Sequence, residues 1–204
     1  MQELLPADQF SQMTGSRTVQ VFDARTRSWS LHPSLLPAPL FEGCAVTTTR
    51  GIVIIGDFEA GQPNAYISRE DQWHRLPVSN YAHTNPACSV VTINNQTGVL
   101  VISGLYAELL RLEDEKWIVL PQPKIRRFKE LKPTVGTSLG EVVVVGGVDR
   151  DTGEVSNVIE VWDDEAEDWV LSESVMDNRR TRQTDISVPV RYMDRCDILT
   201  EKII

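Results

Sequence analysis

The sequence lacks the features of several protein classes. No apolar run approaches the roughly 18 residues of a membrane-spanning helix, and we predict no membrane span. The N-terminal MQELLPADQF has no basic start followed by an apolar block, which predicts no signal peptide. Basic residues are outnumbered, since 20 Lys and Arg against 29 Asp and Glu give a net charge of −9. That balance argues against nucleic acid as a partner, because a phosphate-binding surface needs excess cations.

Residues that commonly act in catalysis or bind metal ions are also scarce. The three cysteines are an odd number without CxxC spacing, which predicts neither a disulfide framework nor a structural zinc site, and a reducing, cytoplasmic location is the default expectation. The three histidines, His32, His74 and His83, show no HxH or HExxH spacing. No GxSxG, P-loop or GxGxxG motif is present. We therefore predict no metal site, no cofactor and no catalytic residue.

Short β-type runs are what the sequence contains instead. Sustained helical periodicity is missing, and 11 prolines interrupt the chain. Runs rich in Val, Ile and Thr alternate with turn residues, a pattern typical of an all-β protein. These runs are Ala45–Thr49, Ile52–Ile55, Ser89–Ile93, Val99–Ile102, Val142–Val145, Val158–Trp162, Trp169–Ser172 and Asp185–Val190.

Tryptophans mark an internal repeat. Trp29, Trp73 and Trp117 are each 44 residues apart, and Trp169 follows 52 residues later. A polar turn precedes each Trp, and the last three follow the glycine-ended runs IVIIGD, LVISGL and VVVVGG. We interpret each repeat as a four-stranded antiparallel unit, with the apolar run as its second strand and the Trp on its outer edge, packed between neighbouring units. The glycines are predicted where a side chain would clash or φ must be positive; they are Gly56, Gly104, Gly146 and Gly147.

This pattern resembles the kelch repeat, whose four-stranded blades build β-propellers. The resemblance is most specific in VVVVGG, IEVW and DW of the fourth repeat. It implies an all-β, kelch-type propeller of about 3.5–4 blades, and two arrangements stay open. The chain closes as four blades, with Asp185–Val190 completing the first, or it is an open fragment of a larger propeller, which we favour. The implied segments are a lead-in at 1–14, repeats at 15–39, 40–84, 85–130 and 131–178, a trailing strand at 185–190 and a tail at 191–204.

Two cysteines follow the same repeat. Cys44 and Cys88 each lie 15 residues after a Trp. We interpret both as small buried residues on the first strand of a blade, the usual behaviour of unpaired cysteine. The third, Cys196, has no place in the repeat.

Loops that follow the Trp strands carry the candidate binding residues. KIRRFKELK at 124–132 and RRTR at 179–182 occupy equivalent loops on one face, and acidic turns such as 163–168 lie on the opposite face, where we expect solvated hairpin tips. In kelch propellers that act as substrate receptors for ubiquitin ligases, arginines of this loop class contact acidic peptides. The resemblance therefore implies that the arginines of both loops contact a protein partner, together with Tyr81 and His83 in the equivalent loop of the second repeat. The arginines are Arg126, Arg127, Arg179, Arg180 and Arg182.

The resulting expectation is a non-catalytic protein–protein interaction module, a scaffold or substrate adaptor that binds an acidic segment of a protein partner. No helical BTB, BACK or F-box segment is present to link it to a ligase. Self-association is expected if the propeller is incomplete. Two alternatives remain: a propeller enzyme of the galactose-oxidase or sugar-processing type, although no equivalent of the copper ligands is found, and a cytoskeleton-associated propeller whose loops bind a filament.

Overall fold

The chain folds into stacked antiparallel sheets. The structure is a computed structural model that describes residues 15–23, 25–58, 63–83, 85–125, 133–138 and 140–176. These residues form one two-stranded and three four-stranded sheets and no helix, so none of them provides an apolar helix that could cross a membrane. The first sheet contains β1 (Gln20–Asp23) and β2 (Ser28–Leu31). The second contains β3 (Leu40–Thr48), β4 (Gly51–Phe58), β5 (Pro63–Arg69) and β6 (Gln72–Arg75).

The third and fourth sheets repeat the second. The third contains β7 (Ala87–Ile93), β8 (Gln96–Ser103), β9 (Tyr106–Arg111) and β10 (Lys116–Leu120). The fourth contains β11 (Thr134–Ser138), β12 (Glu141–Val145), β13 (Val158–Asp163) and β14 (Asp168–Val175). Strands follow chain order across every four-stranded sheet, so the Trp strand is an edge strand in each. The all-β class and the four-stranded antiparallel unit are confirmed, whereas 1–14, Asp185–Val190 and the tail 191–204 lie outside the described residues.

The hydrophobic core lies between successive sheets. We call the face that carries a sheet's Trp its front face and the opposite face its back face. On the front face of the second sheet, Trp73 packs with Ile54 and Tyr66 of that sheet and with Leu36, which follows β2 in the chain. The back face of the second sheet meets the front face of the third, which carries Trp117. The same contact joins the third and fourth sheets, where Trp169 is fully buried. Because sheets are covered on both faces, the second strand β8 is buried from Gly98 to Ser103.

The first strands of the four-stranded sheets lie side by side, because β7 contacts both β3 and β11. Cys44 on β3 and Cys88 on β7 form a disulfide, with their Cα atoms 5.9 Å apart. Their predicted position on first strands is confirmed, and both are partly buried. The expectation that they are unpaired is wrong, because a repeat of 44 residues brings the same position of two adjacent strands together. Cys196 lies outside the described residues.

The glycines have the two roles predicted from the sequence. At Gly56, an added Cβ would lie 2.2 Å from the carbonyl oxygen of Glu42, so the neighbouring strand leaves no room for a side chain. Gly146 and Gly147 have φ values of 70° and 86°, and Gly104 has a φ of 59°, where other residues are strained.

The two ends of the stack differ from its interior. Trp29, predicted to pack between units, is 68% exposed, since no described residue forms a sheet in front of it. At the other end, Val143 lies on the partly exposed back face of the fourth sheet, while Val144 on its front face is fully buried. Both ends are therefore open among the described residues, and neither a closed four-blade propeller nor a larger one is shown.

Candidate functional site

The predicted binding residues divide into described and undescribed ones. Tyr81 and His83 lie in the loop between β6 and β7. The five arginines lie outside the described residues; they are Arg126, Arg127, Arg179, Arg180 and Arg182. The structure does describe the start of the second loop, as far as Ile125, which directly precedes Arg126. The two loops can therefore be compared up to that point.

A buried carboxylate holds the loop between β6 and β7. Glu108 on β9 is fully buried, and its Oε1 accepts hydrogen bonds from the Asn80 backbone N–H at 3.0 Å and from Asn80 Nδ2 at 2.6 Å. Its Oε2 accepts from the Tyr81 backbone N–H at 3.0 Å and from His83 Nε2 at 2.9 Å. Four donors from three residues of this loop thus converge on one side chain of the following sheet.

The electrostatics show that this carboxylate is an anion. Burial raises the pKa of Glu108, but the hydrogen bonds from His83, Asn80 and the Asn80 and Tyr81 backbones outweigh burial and lower the pKa below its ordinary value. An ionised Glu108 accepts only, so His83 donates through Nε2–H. His83 is 2% exposed and its ring lies against Trp117, with centroids 6.0 Å apart. In this structure His83 therefore supports the loop from inside and does not face a partner.

The second loop is held in the same way. Glu160 on β13 is fully buried and accepts hydrogen bonds from the backbone N–H of Lys124 at 2.5 Å and of Ile125 at 3.4 Å. Lys124 and Ile125 stand seven and eight residues after Trp117, as Asn80 and Tyr81 stand after Trp73. The motif search missed both glutamates. A signal exists, because each lies nine residues before a Trp, where the other repeats have Gln20 and Asn64.

A second repeated bond fixes the beginning of each loop. The indole N–H of Trp117 donates to the Pro77 carbonyl at 2.7 Å, and that of Trp169 donates to the Pro121 carbonyl at 3.0 Å. Pro77 and Pro121 each lie four residues after the preceding Trp. Trp73 makes the related bond to the Ser34 carbonyl, at 3.4 Å. Each loop is thus held at two points by the sheet that follows it.

The exposed part of the first loop is aromatic. Tyr81 stacks on Tyr106 at the start of β9, with ring centroids 4.1 Å apart and planes inclined by 10°. Both rings are partly exposed. Stacked phenols offer a flat apolar surface and hydroxyl donors, the combination often found at binding interfaces. Tyr81 therefore combines a fixed backbone with an accessible ring.

Acidic turns lie at the opposite edge of the sheets. They contribute to contacts between sheets and are not merely solvated tips: Asp164 and Glu167 accept hydrogen bonds from Asn94 of the third sheet, at 3.0 and 3.1 Å. Glu115 pairs with Arg50 and Arg69 of the second sheet. Within the described ranges, no group of three or more His, Cys, Asp or Glu side chains has the geometry to hold a metal ion.

Comparison with known proteins adds no family. No protein-family model and no curated protein matches the chain. The functional assignment therefore depends on the loops themselves.

Proposed function

We propose that the chain is a non-catalytic protein-interaction module, a kelch-type propeller or part of one, that binds an acidic protein segment through the loops following its Trp strands. The observation that carries this proposal is the repeated anchoring of those loops. Glu108 fixes the backbone beside Tyr81, and Glu160 fixes the backbone of Lys124 and Ile125, immediately before Arg126 and Arg127.

Anchored loops suit recognition because they reduce the entropy lost on binding. A side chain next to a fixed backbone loses only its own rotamer freedom when a partner arrives. Charged hydrogen bonds to a buried carboxylate are stronger than bonds between neutral groups, so the anchors at Glu108 and Glu160 can hold loops that face solvent. Binding residues are commonly found on loops that a rigid scaffold positions.

The residue types at the loops favour an acidic partner. Arginine forms paired hydrogen bonds with a carboxylate, and five arginines follow the Trp strands of the third and fourth repeats. Tyr81 and Tyr106 add an aromatic surface next to the first loop. With a net charge of −9, the chain as a whole repels an acidic peptide, so binding requires a local basic surface and should weaken as salt screens it.

The test is binding of immobilised peptide arrays of acidic and matched neutral sequences, at low and high salt, to the wild-type chain and to Arg126→Glu/Arg180→Glu. We expect selective capture of acidic peptides and loss of at least tenfold in affinity in the double variant. Arg25→Glu/Arg27→Glu changes the net charge equally, at the opposite edge of the sheets, and should retain most of the binding. Equal capture of neutral peptides, or equal loss in both double variants, would refute an arginine-based site.

A cytoplasmic location remains a prediction. The disulfide between Cys44 and Cys88 is a feature more typical of oxidising compartments. Alkylation of thiols in intact cells, followed by peptide mass spectrometry, separates the two cases: alkylated Cys44 and Cys88 support the cytoplasm, and a linked pair of peptides contradicts it.

A further inference from the structure

An aromatic surface lies open at the front of the first sheet. Phe22 and Trp29 are directly opposed on β1 and β2, with ring centroids 5.1 Å apart. Phe22 is 48% exposed and Trp29 is 68% exposed, and Leu31 on the same face is 65% exposed. No described residue accepts a hydrogen bond from the indole N–H of Trp29, whereas Trp73, Trp117 and Trp169 all donate to a preceding loop. Single exposed apolar residues are ordinary, but a contiguous aromatic patch indicates an interaction surface.

A β-branched surface lies open at the back of the fourth sheet. Val143, Val161 and Val170 oppose one another across β12, β13 and β14, and the pair Val145 and Ile159 extends the same face. Val170 is 39% exposed and the other four are partly exposed. None of the five belongs to a core cluster of the described residues.

The interior of the stack identifies what fits these two surfaces. Wherever one four-stranded sheet follows another, the Trp-bearing front face of the later sheet packs on the β-branched and aliphatic back face of the earlier sheet. On the back face of the second sheet, Val53, Ile55 and Ile67 are no more than 2% exposed. The Trp-bearing front of the two-stranded first sheet and the β-branched back of the fourth therefore carry the same kinds of side chain as the two sides of the interfaces between the four-stranded sheets.

We propose that the front face of the first sheet binds the back face of the fourth sheet in a second copy of the chain, so that copies associate head to tail. The contact continues the internal stacking across the boundary between molecules and would bury Phe22 and Trp29 against Val161 and Val170. Because the two surfaces differ, each copy has one of each, and the contact either closes a ring or extends into a filament. This inference does not depend on the binding of an acidic partner.

The test measures the mass of the full chain by size-exclusion chromatography with light scattering across a concentration series. The front variant is Trp29→Lys, and the back variants are Val170→Lys and, as a second choice, Val161→Lys. Val78→Lys is the matched control, because Val78 is 49% exposed on a loop outside both surfaces. Thermal melts confirm that each variant is folded.

We expect the wild-type chain and Val78→Lys to have at least twice the monomer mass of 22.9 kDa, and each front or back variant to be monomeric. Mixing the front variant with a back variant should restore a dimer, because one intact front face then meets one intact back face. A wild-type monomer at every concentration overturns the proposal. So does association that survives in a back variant, as when the Trp29 faces of two copies contact each other, or association that survives in the front variant.

Discussion

Replacing Glu108 with Gln tests the anchoring of the first loop directly. The substitution keeps the size of the side chain and removes its charge. If the amide oxygen replaces Oε1, it still accepts from both donors of Asn80, and the amide NH2 then points at the Tyr81 N–H and at His83 Nε2. His83 can respond by changing tautomer and accepting through Nε2, but the Tyr81 N–H has no such choice. The Tyr81 N–H is left without an acceptor, the tautomer change places a proton on the buried His83 Nδ1, which also has no partner, and the charged bonds are lost, a cost of about 2–4 kcal/mol.

The assay is urea unfolding at pH 7 followed by tryptophan fluorescence, combined with hydrogen exchange at the Asn80 and Tyr81 amides. Glu113→Gln is the matched control, because Glu113 is exposed on a turn. We expect Glu108→Gln to lower the free energy of unfolding and to speed exchange at Tyr81, and Glu113→Gln to do neither. A loss below about 0.5 kcal/mol with unchanged exchange, the level of ordinary surface substitutions, would refute the anchor.

The pH dependence gives an independent check on the same group. The pKa of Glu108 is lower in the folded chain than its ordinary value of 4.5, so the ionised form stabilises the fold. That stabilisation is fully present above the ordinary pKa, and it is lost as the pH falls through the lowered pKa of the folded chain. The stability difference between wild type and Glu108→Gln should therefore shrink on acidification below about pH 4.5. A difference that stays constant to pH 3 would mean that the charge of Glu108 contributes nothing.

Three further predictions concern the stack. Val144→Asp should lower the free energy of unfolding, measured in urea, by more than about 3 kcal/mol, since it buries an unpaired charge. Val143→Asp should lower it far less. Equal decreases would contradict the assignment of Val144 to the buried face and Val143 to the partly exposed face. Cys44→Ser/Cys88→Ser should lower the free energy of unfolding by about 2–4 kcal/mol. A reducing agent should lower the free energy of unfolding of the wild type but not that of the variant. A wild type whose stability is insensitive to reductant would argue against the disulfide. Trp169→Phe should lower the free energy of unfolding by about 2 kcal/mol or more through loss of a hydrogen bond and of packing, while Trp29→Phe should change it little at concentrations where the chain is monomeric; similar effects would contradict their different burial.

The sequence predicted the repeat well because the repeat is local. Tryptophan spacing, glycine-ended valine runs and charged turns each act within a few residues of one another, and together they define a four-stranded sheet. The position of Cys44 and Cys88 on first strands followed from the same spacing. Their bond did not, since an odd number of cysteines reveals no pairing until the strands are known to be adjacent.

The loop anchors were missed for a different physical reason. Two of the four donors to Glu108 are backbone N–H groups, which every residue except proline has, so the residue type at Tyr81 does not indicate the contact. Similarly, the exposure of Trp29 depends on what lies in front of its sheet, and the sequence of its own repeat does not contain that information.

The anchors repeat while the residues beside them change, and this difference bears on function. Glu108 and Glu160 hold equivalent backbone positions, yet the residues at those positions are Asn80 and Tyr81 in one loop and Lys124 and Ile125 in the other. The bonds to Tyr81, Lys124 and Ile125 go to backbone N–H groups and place no demand on those three side chains, whereas Asn80 and His83 also bond Glu108 through their side chains. Burying a carboxylate is costly unless it is fully hydrogen-bonded, and the four bonds to Glu108 meet that condition. The arrangement suits loops whose exposed side chains must be held in place, as Tyr81 is held against Tyr106.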